Sequence, residues 1–255
     1  MDKEKLFPDG CALVIGGTGG VGRAIVTRLV AAGVDVALTY RSNDTLAKAL
    51  VADAEASGRC AAAWPLDVSN RSAVSRIVTE ATARLGRIHT VIFAAAAYTH
   101  QVYLSQVNDE QWRAALDQDV SGFFNVVRET LPGLREGGGS YVNIGSVGTT
   151  KWVRKDGLSI VPKAAIEAMI QGIAHEEGRH GVRANSVLIG VVEAGMFLEL
   201  QRTGVIDVRW RTETKKLLAL KRWGKPEEIA DAAVFMACSR AAYITGQQLS
   251  VAGGL

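Results

Sequence analysis

Short apolar runs alternate with amphipathic segments of helical period along the chain. Candidate strands cover residues 11–15, 34–40, 59–64, 88–95, 141–144, 182–189 and 248–251, and candidate helices cover residues 23–32, 43–57, 71–85, 109–134, 158–180 and 226–238. Pro162 is placed in the first turn of its helix. Almost wholly apolar strands are typical of a parallel sheet covered on both faces. The pattern predicts one α/β domain over residues 1–255, a doubly wound parallel sheet (Rossmann fold) of about seven strands flanked by helices.

Residues 190–222 show no clean period and are rich in charge. We predict that this segment is a substrate lid, because its apolar residues suit an acyl chain or a hydrophobic ring. Its basic residues suit an anionic handle such as the phosphates of coenzyme A. They are Arg202, Arg209, Arg211, Lys215 and Lys216. A solvated amphipathic helix is the alternative interpretation.

The composition is that of a large globular domain. Of the 255 residues, 48% are hydrophobic, and 29 basic against 26 acidic residues give a net charge of +3. This balance requires neither a nucleic-acid nor a membrane partner, and no apolar run is long enough to span a bilayer. Residues 1–5 are charged with no apolar run behind them, so we predict no signal peptide and a cytoplasmic protein.

Cysteine and histidine spacing adds little to the candidate chemistry. Cys11, Cys60 and Cys238 lie far apart, so we expect buried thiols in a reducing compartment. The four histidines show no ligand spacing, which implies no metal site. We therefore look for a small-molecule substrate and an organic cofactor.

A glycine-rich turn joins the first candidate strand to the first candidate helix. It contains Gly16, Thr18, Gly20, Val21 and Gly22. The free N–H groups and the positive dipole end of a helix start attract an anion, and glycines allow a pyrophosphate to approach the backbone closely. With a strand before it and a helix and a second strand after it, the turn predicts a dinucleotide site. The alternative is a glycine-rich turn in another kind of α/β protein.

The end of the second strand indicates which dinucleotide binds. An acid at this position selects NAD, whereas an arginine accommodates the 2′-phosphate of NADP. Here the strand is followed by Arg41 and Ser42 with no acid, so we predict NADP(H). Asp67, after the third strand, is placed to accept a hydrogen bond from the adenine amino group. Its alternative role is an N-cap-type turn before Ser69.

These features resemble the short-chain dehydrogenase/reductase family over essentially the whole chain. The resemblance is carried by the glycine turn, the pair Asp67-Val68, Ser146 at the family's catalytic serine, Lys163 at its catalytic lysine, the sixth strand from Val182 to Val187, Tyr243 to Gln247, and Gly253-Gly254. The family pattern also places Ala94, Ala95, Lys163 and Gly190 beside the cofactor. The resemblance implies a homotetramer or homodimer packed through helices 109–134 and 158–180, and a heteromer with a paralogue stays open.

The chain departs from the family pattern in the active site. The family's catalytic tyrosine, four residues before the lysine, is Ser159. The family's asparagine on the long helix is Asp119, and its threonine after the sixth strand falls near Ala194. A serine hydroxyl is shorter and a far weaker acid than a phenol. The fold is therefore retained while the usual proton donor is not.

The favoured hypothesis is an enzyme whose substrate does not need the tyrosine. The remaining pattern resembles the 2,4-dienoyl-CoA and enoyl-CoA reductase branch, in which hydride adds to a conjugated C=C bond and an enolate must be stabilised. Asp119 would be the acid/base or water-holding group and Lys163 the anchor of the nicotinamide ribose, while Ser146 and Ser159 would donate hydrogen bonds. Asp119 is alternatively a structural acid that accepts bonds from the backbone or from Lys163.

Two other hypotheses stay open. The chain is a catalytically inactive subunit that partners an active paralogue, or it is a carbonyl (keto) reductase with an unusual proton donor such as Tyr98, Tyr103 or the substrate itself. The intact glycine turn, Arg41 and Lys163 favour an NADP-dependent reductase over an inactive subunit, because a scaffold needs none of them. The sequence does not identify the substrate.

Overall fold

The computed structural model describes residues 5–255, which contain a seven-stranded parallel sheet of order β3-β2-β1-β4-β5-β6-β7. The strands are β1 Cys11–Ile15, β2 Asp35–Tyr40, β3 Ala61–Pro65, β4 Ile88–Phe93, β5 Gly139–Ser146, β6 Val182–Ile189 and β7 Gln248–Val251. The doubly wound α/β fold predicted from the sequence is confirmed. Most of the charged N-terminal stretch, residues 1–4, lies outside the described residues.

Helices cover both faces of the sheet. They are α1 Gly20–Ala31, α2 Asp44–Ala56, α3 Arg71–Leu85, α4 Asp109–Ala115, α5 Gly122–Arg135, α6 Gly157–Glu177, α7 Gly195–Arg202, α8 Val208–Leu217 and α9 Pro226–Ala237. Ile25 of α1 and Ile229 of α9 belong to the core on one face, and Phe123 of α5 and Ile166 of α6 to the core on the other. Because the central strands β1 and β4 are enclosed on both faces, they are wholly buried and almost wholly apolar rather than alternating.

Crossovers run in opposite directions from the centre of the sheet, so a crevice opens between β1 and β4. Leu13 and Val14 of β1 pair with Ala37 and Leu38 of β2 on one side. On the other side, β1 pairs with β4. Loops at the carboxyl ends of these strands bind ligands in open α/β sheets. The glycine turn and the loop after β4 both lie at this edge.

Several predicted boundaries are wrong, and two of the corrections affect the site. Helix α1 begins at Gly20 rather than residue 23, so the last glycines of the turn lie in its first turn. The predicted helix 109–134 is interrupted by a π-helical turn, Leu116–Ser121. Pro162 is the sixth residue of α6, beyond the first turn, because the helix begins at Gly157. Strand β5 is longer than predicted and β4 ends at Phe93.

The segment 190–222 contains two helices, α7 and α8, although its sequence shows no clean period. Trp223 is buried behind them, with ring centroids 5.3 Å from Phe197 and 6.4 Å from Trp210. The prediction that all three cysteines are buried is wrong for Cys60, which is exposed before the edge strand β3, whereas Cys11 and Cys238 are buried.

Residues 5–255 contain neither a membrane-spanning helix nor a cluster of metal-ligand side chains. No helix there is both long and apolar enough to cross a bilayer. Within the same residues, no three His, Cys, Asp or Glu side chains are grouped as metal ligands.

Candidate functional site

The glycine turn is shaped by close contacts with its neighbours. Gly16 has φ of +81°, and a Cβ there would lie 2.9 Å from the backbone of Ala95. A Cβ on Gly22 would collide with the carbonyl oxygen of Gly16. A Cβ on Gly20 would lie 2.6 Å from the Cβ of Ala194. These positions therefore require glycine to bring β1, α1 and the loops after β4 and β6 together.

The start of α1 has no side-chain cap. Its N-cap residue is Gly19, whose N–H donates to the carbonyl of Gly16 at 2.9 Å. The N–H of Gly16 donates to Thr39 Oγ1 at 3.1 Å, which anchors the turn to β2. The first-turn residues Gly20, Val21 and Gly22 thus present their backbone amides with no capping side chain in front of them. This cradle fits the pyrophosphate of a dinucleotide, with Thr18 at its rim.

A second helix begins at the same place. The N-cap of α7 is Ala194, which makes no side-chain cap, and the N atom of Gly195 would lie 2.7 Å from a Cβ on Gly20. The first turns of α1 and α7 therefore converge, so their positive dipole ends face a common region. This arrangement favours an anion there although the family's threonine is Ala194.

The predicted adenosine end is built from three loops. Gln118 Nε2 donates to Asp67 Oδ1 at 2.8 Å, and Arg41 Nη1 lies 3.5 Å from Gln118 Oε1. Arg41 and Ser42 are exposed after β2, and the contact with Gln118 is a long hydrogen bond at the surface. Val68 is buried, and its Cγ2 would lie 2.5 Å from a Cβ on Gly122. The tight approach of the third-strand loop to α5 thus fixes Asp67 beside Arg41.

Asp67 forms a turn of its own rather than a helix cap. Its Oδ1 accepts from the N–H and the hydroxyl of Ser69 at 3.0 and 2.7 Å. The bond from the Ser69 hydroxyl is the main reason that the pKa of Asp67 is below its ordinary value. The predicted turn before Ser69 is therefore present, and the N-cap residue of α3 itself is Asn70.

A buried charged pair occupies the centre of the site. Lys163 Nζ donates to Ser159 Oγ at 3.1 Å and lies 3.6 Å from Asp119 Oδ2. Asp119 Oδ1 accepts from the N–H of Ala97 at 2.9 Å. The Asp119 and Lys163 residues are only 2% and 9% exposed. Asp119 lies in the π-helical turn, whose wider spacing directs its carboxylate inward. These contacts are those of the structural role considered for Asp119.

Ser146 is the last residue of β5, at the same carboxyl edge of the sheet. Its Oγ accepts from the N–H of Gly148 at 3.0 Å, and its hydroxyl hydrogen is therefore free to donate. Within residues 5–255, no hydrogen bond joins it to Ser159 or Lys163. The structure thus brings Ser159, Lys163 and Asp119 into direct contact and places Ser146 in a turn of its own.

The remaining predicted cofactor residues lie along the same edge. Ala94 donates its N–H to the carbonyl of Ile15 at 2.9 Å, and Ala95 packs on Gly16. Gly190 lies just beyond β6, where a Cβ would approach the Cβ of Ala252 to 3.0 Å. Close backbone packing therefore accounts for these small residues.

Two polar residues at the mouth of the site were missed by the sequence analysis. Asp156 Oδ1 accepts from Gln101 Nε2 at 2.9 Å, and a backbone bridge joins Asp156 to Val102. Asp156 precedes Ser159 by three residues, which is one turn at the start of α6. This spacing from Ser159 could have indicated Asp156 as a site residue. Nothing in the sequence indicates its contact with Gln101.

The tyrosines considered as alternative donors lie in the loop after β4 and are about half exposed. Tyr98 meets the edge of the His100 ring, and Lys155 Nζ lies 5.1 Å from the centre of the Tyr103 ring. Neither side chain hydrogen-bonds to Lys163 or Ser159 within the described part of the chain. They form part of the rim of the site.

Comparison with known proteins identifies the family. The family described as Enoyl-(Acyl carrier protein) reductase matches residues 16–255. A solved short-chain type dehydrogenase/reductase from Mycobacterium ulcerans superposes with a TM-score of 0.90 at 30% identity, covering 98% of this chain and 90% of that one. This chain belongs to the short-chain dehydrogenase/reductase family. It is therefore an oxidoreductase of that family, as the sequence predicts.

Other similar proteins are named for acyl substrates or were solved with NADPH. The (3R)-3-hydroxyacyl-CoA dehydrogenase of Mus musculus is 31% identical over 260 residues, which are 96% of this chain and 95% of that protein. A 3-oxoacyl-(acyl-carrier-protein) reductase of Staphylococcus epidermidis is 26% identical over 245 residues, 96% of this chain and 98% of its own. A blue fluorescent protein from a metagenomic library, solved in complex with NADPH, has a TM-score of 0.87 at 29% identity, covering 96% and 98% of the two chains.

Proposed function

We propose that this short-chain dehydrogenase/reductase uses NADP(H) to reduce a conjugated C=C bond in an acyl thioester-like substrate. The observation that carries the proposal is the buried Lys163–Asp119 pair, 3.6 Å apart, at the crevice edge where the glycine turn also opens. A buried ammonium held in place by a carboxylate and a hydroxyl can stabilise negative charge on a substrate oxygen without needing a tyrosine.

The residues present fit a nicotinamide dinucleotide. The amides of Gly20, Val21 and Gly22 would hold its pyrophosphate, and Asp67 would accept from its adenine amino group. Arg41, with no acid beside it at the end of β2, favours a 2′-phosphate. When bound, such a cofactor supplies a hydride. Lys163 would hold the nicotinamide ribose through its ammonium group.

An apolar rim supports a hydrophobic acyl substrate. Large apolar side chains that are about half exposed lie on the loops after β4 and β5 and on α7, and they are Tyr98, Tyr103, Leu104, Trp152 and Leu198. A Cβ on Gly157, at the start of α6, would lie 3.0 Å from Leu104 and 3.6 Å from Trp152, so these side chains meet above the helix. Burying them against an acyl chain is favourable by about 25 cal/mol per Å² of apolar surface.

Basic residues of the segment 190–222 support an anionic group on the substrate, but fewer of them are available than the five that the sequence offers. Arg202 is neutralised by Glu199 at 2.6 Å and Lys216 by Glu213 at 2.8 Å. Lys215 Nζ lies 5.1 Å from the centre of the Trp223 ring. Lys215, with Arg209 and Arg211, would therefore meet the phosphates of a carrier such as coenzyme A.

Reduction of a 3-oxoacyl thioester is the second candidate. The mouse and staphylococcal relatives are named for 3-hydroxyacyl and 3-oxoacyl substrates, in which the same carbon, C3, exchanges the hydride. A keto reductase must protonate an alkoxide directly, and the family's tyrosine is Ser159. This difference favours the conjugated C=C bond, whose reduction passes through an enolate.

We further propose a homodimer or homotetramer formed through α4–α6. Phe124 of α5 projects from this surface with 52% of its area exposed, and a partner subunit packed on α5 would bury it. Ala164 and Ala168 form a small exposed face on α6, which allows close approach of a partner helix. An inactive subunit that completes a paralogue would use the same surface.

The proposal is tested by following the oxidation of NADPH with two four-carbon thioesters, crotonyl-CoA and acetoacetyl-CoA. We expect turnover of crotonyl-CoA with a kcat/KM above that for acetoacetyl-CoA, and loss of turnover in Lys163→Met. Turnover of acetoacetyl-CoA alone would establish the second candidate. A folded protein that binds NADPH and oxidises it with neither thioester would contradict both and favour the inactive subunit.

A further inference from the structure

The site contains a second carboxyl group, Asp156, which has no role in the family pattern described above. It is the N-cap residue of α6, yet its side chain makes no capping bond to that helix. Its carboxylate is instead held by Gln101 Nε2 at 2.9 Å, across the mouth from the loop after β4. A short polar residue at an N-cap usually bonds to the first-turn amides. The side chain is therefore turned from the helix toward the loop after β4, one of the loops at the carboxyl edge of the sheet where ligands bind in this type of fold.

The other polar groups near Lys163 are poorly placed to donate a proton. Both oxygens of Asp119 are engaged, one by the Ala97 N–H and the other by the Lys163 ammonium. The Ser159 hydroxyl accepts from Lys163 Nζ and is a very weak acid. A carboxyl group that is half-buried and has one oxygen free is the better acid.

We propose that Asp156 is the proton donor of this reductase and that Gln101 positions it. This inference rests on the proposed function. Hydride adds to C3 of the conjugated thioester, and the C=C π pair moves to form an enolate at the thioester oxygen, beside Lys163. The enolate then collapses as C2 takes the carboxyl proton of Asp156. The O–H bond of Asp156 breaks, its carboxylate is left, and solvent returns the proton. The nicotinamide is oxidised and the thioester is reduced.

The surroundings of Asp156 suit a group that is protonated for part of each cycle. Burial raises the pKa of its carboxyl above the ordinary value, while the Gln101 bond and the charge of Lys163 lower it. Asp119 pairs with Lys163 at 3.6 Å and offsets part of that charge. Lys155, the adjacent residue in the chain, places its ammonium over the Tyr103 ring. The proton is therefore held more tightly than on an exposed aspartate and can still be released.

The experiment compares Asp156→Asn, Gln101→Leu and the control Asp53→Asn, an exposed carboxylate on α2. Asparagine keeps the oxygen that accepts from Gln101, so the loops stay joined. With crotonyl-CoA and NADPH, we expect Asp156→Asn to lower kcat by about 10²–10⁴-fold. We expect its NADPH affinity to be unchanged. The wild-type rate should fall as pH rises through the pKa of Asp156, and this limb should be absent in Asp156→Asn.

Gln101→Leu provides a second test, in which the direction of a shift in the pH profile is predicted. Removing the bond that favours the ionised form should move the falling limb to higher pH, whereas a purely structural role would lower the rate at all pH values alike. Carboxyl ¹³C NMR of aspartate-labelled protein reads the same titration without substrate. The resonance missing from Asp156→Asn should titrate above about 3.9, the ordinary aspartate value.

The outcomes separate the two proposals. If the wild type reduces crotonyl-CoA and Asp156→Asn retains its kcat and pH profile, the donor assignment is overturned while the proposed function stands. A carboxyl resonance that titrates at or below the ordinary aspartate value also overturns the assignment. If the folded wild type is inert toward crotonyl-CoA, the proposed function fails and the role of Asp156 in it fails too.

Discussion

Removing the carboxylate of Asp119 should cost more stability than removing any exposed carboxylate. Asp119 Oδ2 and Lys163 Nζ are 3.6 Å apart. At an effective dielectric constant of about 20, that separation corresponds to an attraction of about 4–5 kcal/mol before the desolvation of both groups. Asp119→Ala leaves a buried ammonium and the Ala97 N–H without their partner. Because a broken buried pair leaves an uncompensated charge, we expect the free energy of unfolding to fall by about 3–5 kcal/mol.

Urea unfolding followed by tryptophan fluorescence measures this change, with Asp231→Ala as the control. Asp231 pairs with Arg28 at 2.7 Å on the surface, so its loss should cost less than about 1 kcal/mol. The double variant Asp119→Ala with Lys163→Met removes both charges and should cost less than the sum of the two single variants, Asp119→Ala and Lys163→Met. If Asp119→Ala costs no more than the control, or if the two single losses simply add, the pair is not the organising contact of the site.

Three further predictions concern other parts of the fold. Burial lowers the pKa of His89 to about 4 from 6.5, so the unfolded chain takes up a proton that the folded chain does not as pH falls between these values. Stability should therefore drop by about 3 kcal/mol across that window, and His89→Gln should flatten the dependence in urea titrations at several pH values. Gly22→Ala should abolish NADPH binding in calorimetry, because its Cβ would collide with the carbonyl oxygen of Gly16. The control Gly33→Ala, at a glycine with φ of +82° and open space around its Cβ position, should leave binding intact. Phe124→Glu should halve the mass of the particle in light scattering if α5 forms the subunit interface, and an unchanged mass would place the interface elsewhere.

The fold could be predicted because its determinants are local. Each strand is an apolar run and each helix has its own apolar period. The glycine turn marks the strand–turn–helix unit with which the fold begins. Errors arose where tertiary contacts override local signals. Helix α1 begins at Gly20 because the turn packs against Ala194, and Pro162 is accommodated inside α6 because the surrounding core holds that helix.

Contacts of the site could be predicted only where both residues lie close together in the sequence. Lys163 and Ser159 lie four residues apart on one helix, so their contact follows from helical geometry. The bond between Gln101 and Asp156 joins residues 55 positions apart and depends on how two loops meet. The same holds for Gln118, which reaches Asp67 from a π-helical turn that periodicity did not indicate.

The central claim is that this crevice binds NADP(H), and a titration with NADPH and NADH tests it most directly. We would follow tryptophan fluorescence for the wild type, Arg41→Ala and the exposed control Arg84→Ala. Because a hydrogen-bonded charge contributes about 1.5–3 kcal/mol, Arg41→Ala should weaken NADPH binding by about 10–100-fold and leave NADH binding unchanged. Arg84→Ala should behave as the wild type does. Equal affinity of the wild type for both nucleotides would contradict the assignment of Arg41, and a folded protein that binds neither would contradict the whole account.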